Sequence, residues 1–149
     1  MAANWFEIKV KYTKVNEFGK EKKVLETYLL DSMSFTEAEG RITEKLKEII
    51  QYDFHVTSIK SSNISEIVES KDTKDDKWFK AKVAIIDADT ITGREKRSNV
   101  YFLVAGSDVN VALENLRKAL STYLVPTDVV QVGDSNIMDV FPYFEDRQE

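Results

Sequence analysis

The phrase "WFEIKV" at Trp5–Val10 returns as "WFKAKV" at Trp78–Val83, 73 positions further on (78 − 5). "GKEKK" at Gly19–Lys23 returns as "GREKR" at Gly93–Arg97, now 74 positions on (93 − 19), so one residue has been gained in a turn. "YLL" at Tyr28–Leu30 meets "FLV" at Phe102–Val104, and Ala38, Ile42 and Leu46 meet Ala112, Leu116 and Leu120. "SNISEI" at Ser62–Ile67 meets "SNIMDV" at Ser135–Val140, where the gained residue has been lost again. Matching blocks in one order identify an internal duplication. Two long copies do not make a solenoid. They suggest a pseudo-two-fold pair, like a homodimer fused into one chain.

Each copy reads as strand, turn, strand, helix, strand. Along Glu7–Tyr12 the residues Phe6, Ile8, Val10 and Tyr12 point one way, and Trp5, Glu7, Lys9 and Lys11 the other, the alternation of a half-buried strand. A glycine turn at Gly19 and the run Lys23–Leu30 complete a hairpin. The second copy offers Trp78–Ile86, a "TGRE" turn and Asn99–Val104. A helix follows in each. Ser34 is an N-cap with Glu37 at capping-box spacing, and Phe35, Ala38, Ile42, Leu46, Ile49 and Ile50 share one face. Asp108 caps the second helix, whose stripe is Val109, Ala112, Leu116, Leu120, Tyr123 and Leu124, with Pro126 helping to end it. The third strand is Phe54–Lys60, continuing with a kink through Asn63–Val68; its counterpart is Val129–Val132 and Ile137–Phe141. Glu69–Lys77 is a polar joint.

The expected architecture is therefore α+β, an internal duplication of two ββαβ units, with antiparallel-rich sheets that each carry one helix. Residues 1–70 form the first repeat and 71–149 the second. One such unit has a thin core, so the two are expected to pack together as one globular domain, through their sheets or as one continuous sheet.

The composition narrows the chemistry. Of 149 residues, 42% are hydrophobic, enough for a core rather than a disordered chain. There is no cysteine, which excludes disulfides, thiolate zinc sites and cysteine nucleophiles. The opening "MAANWFEIKV" lacks a basic stretch followed by a long apolar run, so no signal peptide is expected, and no uncharged run reaches the roughly 18 residues of a membrane span. A soluble cytoplasmic protein without a membrane partner is expected. The formal charge of -5 means that any nucleic-acid binding would need a local basic surface.

The opening "WFEIKVKY", the central "LLDSMSFTEAEGRI" and the closing "NIMDVFPY" resemble an uncharacterised family of short proteins from gut anaerobic bacteria and their phages. The resemblance covers nearly the whole chain. It implies a phage or mobile-element setting and a domain of unknown function. It implies no activity, and no catalytic residue is carried over from it.

An enzyme is not expected. The single histidine, His55, opens a strand, where such a residue is usually structural. No nucleophile elbow and no phosphate-cradling glycine loop is present. "DAD" at Asp87–Asp89 pairs two carboxylates at a hairpin end, a solvated turn rather than a metal site, which would need further oxygen ligands. No cofactor and no metal is implied.

The candidate site is a basic aromatic surface. On the side of the first strand away from the core lie Trp5, Lys9 and Lys11; on its counterpart lie Trp78, Lys80 and Lys82. The hairpin tips add Lys20, Lys22 and Lys23 in one copy and Arg94, Lys96 and Arg97 in the other. Rings interleaved with cations suit single-stranded nucleic acid, because bases stack on the rings and cations neutralise phosphates. The structural alternative stands beside it: paired tryptophans at a repeat junction are commonly core, and lysines on a strand are routine edge protection. A second functional class is a protein-interaction or small-ligand-sequestering module acting on a host factor, with a host or phage protein as partner. In the closing "MDVFPYFEDRQE", Ile137 and Val140 read as packing, while Tyr143 and Phe144 are open between packing and docking.

Overall fold

The computed structural model describes residues 4–142. The first repeat forms β1 (Asn4–Val15), β2 (Glu21–Ser32), α1 (Phe35–Ile49), β3 (Phe54–Ser61) and β4 (Ile64–Val68). The second forms β5 (Lys77–Ala88), β6 (Glu95–Gly106), α2 (Val109–Leu120), β7 (Thr127–Asp134) and β8 (Ile137–Phe141). The strands make two separate four-stranded sheets, in the orders β3-β1-β2-β8 and β4-β6-β5-β7, rather than one continuous sheet. Each is mixed: the hairpin and the third strand pair antiparallel, and the edge strand beside β2 or β6 pairs parallel.

The copies repeat down to their irregularities. A register shift falls between Lys9 and Val10 in β1 and between Lys82 and Val83 in β5. Another falls between Thr27 and Tyr28 in β2, and between Tyr101 and Phe102 in β6. The hairpin turns both need a left-handed residue, supplied by Gly19 at φ 79° and Gly93 at φ 72°. A side-chain oxygen holds each turn. Asn16 Oδ1 accepts from the Phe18 and Lys20 N–H groups, and Asp89 Oδ1 accepts from Ile91 and Thr92.

The alternation in β1 works as its sequence implies. Phe6, Ile8 and Val10 are buried and pack with Tyr28, Leu30, Ala38, Ile42, Leu46 and Phe141. In the second unit Phe79, Ala81 and Val83 pack with Phe102, Val104, Ala112, Leu116 and Leu120. Each buried branched or aromatic side chain contributes about 1.5–3 kcal/mol relative to exposure, so these two clusters supply most of what holds the helices on their sheets. Ser34 Oγ accepts from Glu37 N–H at 3.1 Å, and the Glu37 carboxylate reaches back to the Ser32 hydroxyl and the Met33 N–H. Asp108 Oδ1 accepts from Val111 N–H at 2.9 Å. The second helix ends at Leu120, six positions before Pro126, so Tyr123 and Leu124 fall beyond it.

The compact units do not coincide with the sequence repeats. One unit takes the chain up to Ser62 together with the segment from Asn136 onward; the other is Asn63–Ser135. β4 belongs to the first repeat by sequence but pairs with β6, and β8 belongs to the second but pairs with β2. Chain length explains this. β3 lies on one edge of its sheet, and the free edge beside β2 is three strand spacings away, about 14 Å. The connection from Ser61 to Ile64, through Ser62 and Asn63, reaches only about 10 Å when extended. The last strand of each repeat therefore completes the sheet of the other.

Candidate nucleic-acid interface

The pairing registers sort the twelve predicted residues by face. Trp5, Lys9 and Lys11 lie on the side of β1 away from α1, and Lys23, opposite Thr13, joins them. Trp78, Lys80 and Lys82 lie on the corresponding side of β5, joined by Arg97 opposite Ile86. Lys22 and Lys96 point to the helix side, since they stand opposite Lys14 and Asp87. Lys20 and Arg94 sit in the turns just before β2 and β6. Each sheet thus gathers four of its six predicted residues on one face. The rows are long: from Trp5 to Lys11 is about 20 Å of strand.

The burial of that face is uneven. Lys11, Lys23, Lys80 and Arg97 are exposed, whereas Lys9, Lys82, Trp5 and Trp78 are half-buried. Along β2 the same face is closed: Thr27, Leu29 and Asp31 are buried. Along β6, Leu103 and Ala105 are buried too. The solvent-reachable part is therefore carried by β1 with β3, and by β5 with β7, and the tryptophans lie at its inner ends. Their carbonyls hold the chain where it leaves each sheet: Trp5 O accepts from Ser62 N–H, and Trp78 O accepts from the Ser135 hydroxyl.

Acids temper the charge. Arg97 donates to Asp128 at 2.8 Å, both side chains about half exposed. Asp31 pairs with Arg41 of α1 at 3.6 Å. Of the paired carboxylates at the second hairpin end, Asp87 is the last but one residue of β5, and Asp89 is held below the usual carboxylate range by the N–H groups of Ile91 and Thr92. His55 is exposed on β3, opposite Lys11. Among the described residues, no group of three or more His, Asp or Glu side chains is placed to hold a metal ion, and no helix is long and apolar enough to cross a membrane.

The two faces are not identical: Lys80 stands where the first sheet has Glu7, and Ala84 where it has Lys11. In the first sheet Glu7 stands opposite Leu29 and Lys60, and Lys9 opposite Thr27 and Ser58. In the second, Lys80 stands opposite Leu103 and Gly133, and Lys82 opposite Tyr101 and Gln131. A cleft of about 280 Å³ opens there, lined in part by Lys80, Lys82, Tyr101, Gln131 and Gly133. Tyr101, Gln131 and Gly133 were not among the residues predicted from sequence. Aligning the copies position by position carries the signal, because Thr27, Ser58 and Lys60 are their counterparts. Tyr143 and Phe144 lie outside the described residues.

These observations define a duplicated α+β protein with two exchanged edge strands and a basic, tryptophan-headed row on each sheet. The chain belongs to the family described as a domain of unknown function (DUF4494), whose model matches residues 4–143. No curated protein and no solved structure matches it.

Proposed function

We propose that this is a non-enzymatic nucleic-acid-binding accessory protein that takes single strands along its two basic rows. The observation that carries the reading is the repetition: Trp5, Lys9, Lys11 and Lys23 share one face, and Trp78, Lys80, Lys82 and Arg97 share its counterpart. Lysines two apart on a strand stand about 6.6 Å apart, close to the phosphate spacing of an extended single strand. Net charge opposes non-specific coating, so binding is expected to be confined to these rows and to fall with salt. A nucleic-acid partner implies work in the cytoplasm. The resemblance of the closing motif favours a phage or mobile-element setting.

The test is a fluorescence titration with oligothymidylate at low salt, read on Trp5 and Trp78, with a gel shift beside it. Unchanged emission together with an unshifted band would discard the proposal.

A second reading, a protein-interaction module acting on a host or phage protein, has its own observation. Phe18 is 81% exposed and Ile91 93% exposed, at equivalent positions in the two hairpin turns. Phe18→Ser with Ile91→Ser should then abolish retention of that partner in a pull-down while oligothymidylate binding is kept.

A further inference from the structure

The cleft on the second sheet exists because position 133 is glycine. Gly133 stands opposite Lys80, outside the left-handed region, and a Cβ built on it would meet nothing within 4 Å. Its counterpart in the first sheet, Lys60, carries a long side chain opposite Glu7. The second copy therefore has no side chain where the first has a long one.

The surroundings have changed in concert. Glu7 is replaced by Lys80, which turns an anion into a cation. Thr27 is replaced by Tyr101, which is half-buried on the same face. Ser58 is replaced by Gln131. Tyr101, Lys82 and Gln131 form one row across β6, β5 and β7, each directly opposite its neighbour, so the row spans about 10 Å. Asn63 and Asp134 complete the polar lining. A ring, two ammonium groups and two amides thus line a hollow of about 280 Å³. That lies near the lower end of small-molecule sites, about 300 Å³, which suits one nucleotide and not a run of them.

We infer that this cleft is a binding site for a single nucleotide unit, whose base lies on the Tyr101 ring and whose phosphate meets Lys82 and Lys80. Gln131 and Asn63 offer both donor and acceptor to a base edge. The inference deepens the nucleic-acid reading and rests on it: the cleft is where one base of a bound strand is seated.

The test is calorimetry on the full chain with thymidine 5′-monophosphate, with thymidine and ribose 5-phosphate as controls, and with oligothymidylate in parallel. The monophosphate should bind, and both controls should bind about tenfold more weakly or worse, since each lacks either the phosphate or the ring. Gly133→Ile should fill the hollow and abolish monophosphate binding, with the melting temperature checked to show that the variant folds. Tyr101→Leu should weaken binding about tenfold or more, and Tyr101→Phe should retain it, which decides the matter even if Gly133→Ile does not fold. No heat from the monophosphate, equal binding by Tyr101→Leu and Tyr101→Phe, or ribose 5-phosphate binding as well as the nucleotide overturns the inference. If oligothymidylate still binds in those cases, the cleft is refuted and the reading of the rows is kept.

Discussion

Tyr28 and Phe141 stack with ring centroids 5.6 Å apart and planes 17° from parallel, and so bind the last described strand to the sheet of the first repeat. Phe141 is 7% exposed and belongs to the same core cluster as Ile8, Leu30 and Leu46. Phe141→Ala should cost about 3–5 kcal/mol, the usual loss for a buried phenylalanine. The effect should begin in one unit. Hydrogen exchange should speed up in β2 and β1 before β5 and β6, and uniform acceleration would contradict this account.

Tyr28 also carries the alkaline limit of that unit. Burial, the Glu26 charge and the hydrogen bond to Glu26 at 3.0 Å push its hydroxyl pKa well above the ordinary value of 10.0. The folded state keeps the proton where the unfolded chain loses it. Stability from this group is therefore complete below about pH 10 and declines above it, by up to about 1.4 kcal/mol per pH unit. Melting temperatures taken from about pH 9 to about pH 11.5, on either side of the ordinary tyrosine value, should fall more steeply for the wild type than for Tyr28→Phe.

Of the glycines, Gly106 has the least room for a side chain. A Cβ there would lie 2.7 Å from the Ala112 backbone nitrogen, so β6 and α2 approach through the missing side chain. Gly106→Ala should destabilise by about 1–3 kcal/mol, the range for overpacking. The first repeat has Ser32 at this position, fully buried, with its hydroxyl donating to Ser34 O and Glu37 Oε1. Ser32→Gly should therefore cost hydrogen bonds rather than relieve a clash. Urea unfolding of both variants checks the contrast.

Lys9→Glu combined with Lys82→Glu should weaken oligothymidylate binding and flatten its salt dependence, by about 0.7 in slope for each phosphate that is no longer neutralised. The fold should be unaffected, since both lysines lie away from the helix-side cores. An unchanged slope would remove these two residues from the interface.

The hairpin tips should be neutral for stability. Phe18 and Ile91 touch no core cluster, and a substitution to serine at either should change the folding free energy by less than about 0.5 kcal/mol. Thermal unfolding measures it directly.

Much of this was readable in the chain. Period-two alternation around Ile8 and Val83, the caps Ser34 and Asp108, and glycines 19 and 93 each act locally, so the residues announce the element. Boundaries ran short because strand ends such as Asn4 and Val15 are polar or exposed and show no alternation. The exchange of β4 and β8 was not announced, because "SNISEI" and "SNIMDV" look like continuations of the strand before them; the gap of about 14 Å that keeps each from the free edge of its own sheet is a property of the assembled sheet. The site was half legible. Alternation put Trp5, Lys9 and Lys11 on one face, but it could not tell that Leu29 beside them would be buried on that same face. Gly133 and Tyr101 depart from their counterparts Lys60 and Thr27, so the pattern shared by the copies carries no trace of them.

Each repeat hands its final strand away and receives one in return. The arrangement leaves side chains at liberty to drift, so that glycine stands in one copy where lysine stands in the other. It gives no such latitude to the backbone, because dropping a segment from either half would leave a gap in its neighbour. Inheritance of this molecule is therefore all or nothing in architecture, and piecemeal in chemistry.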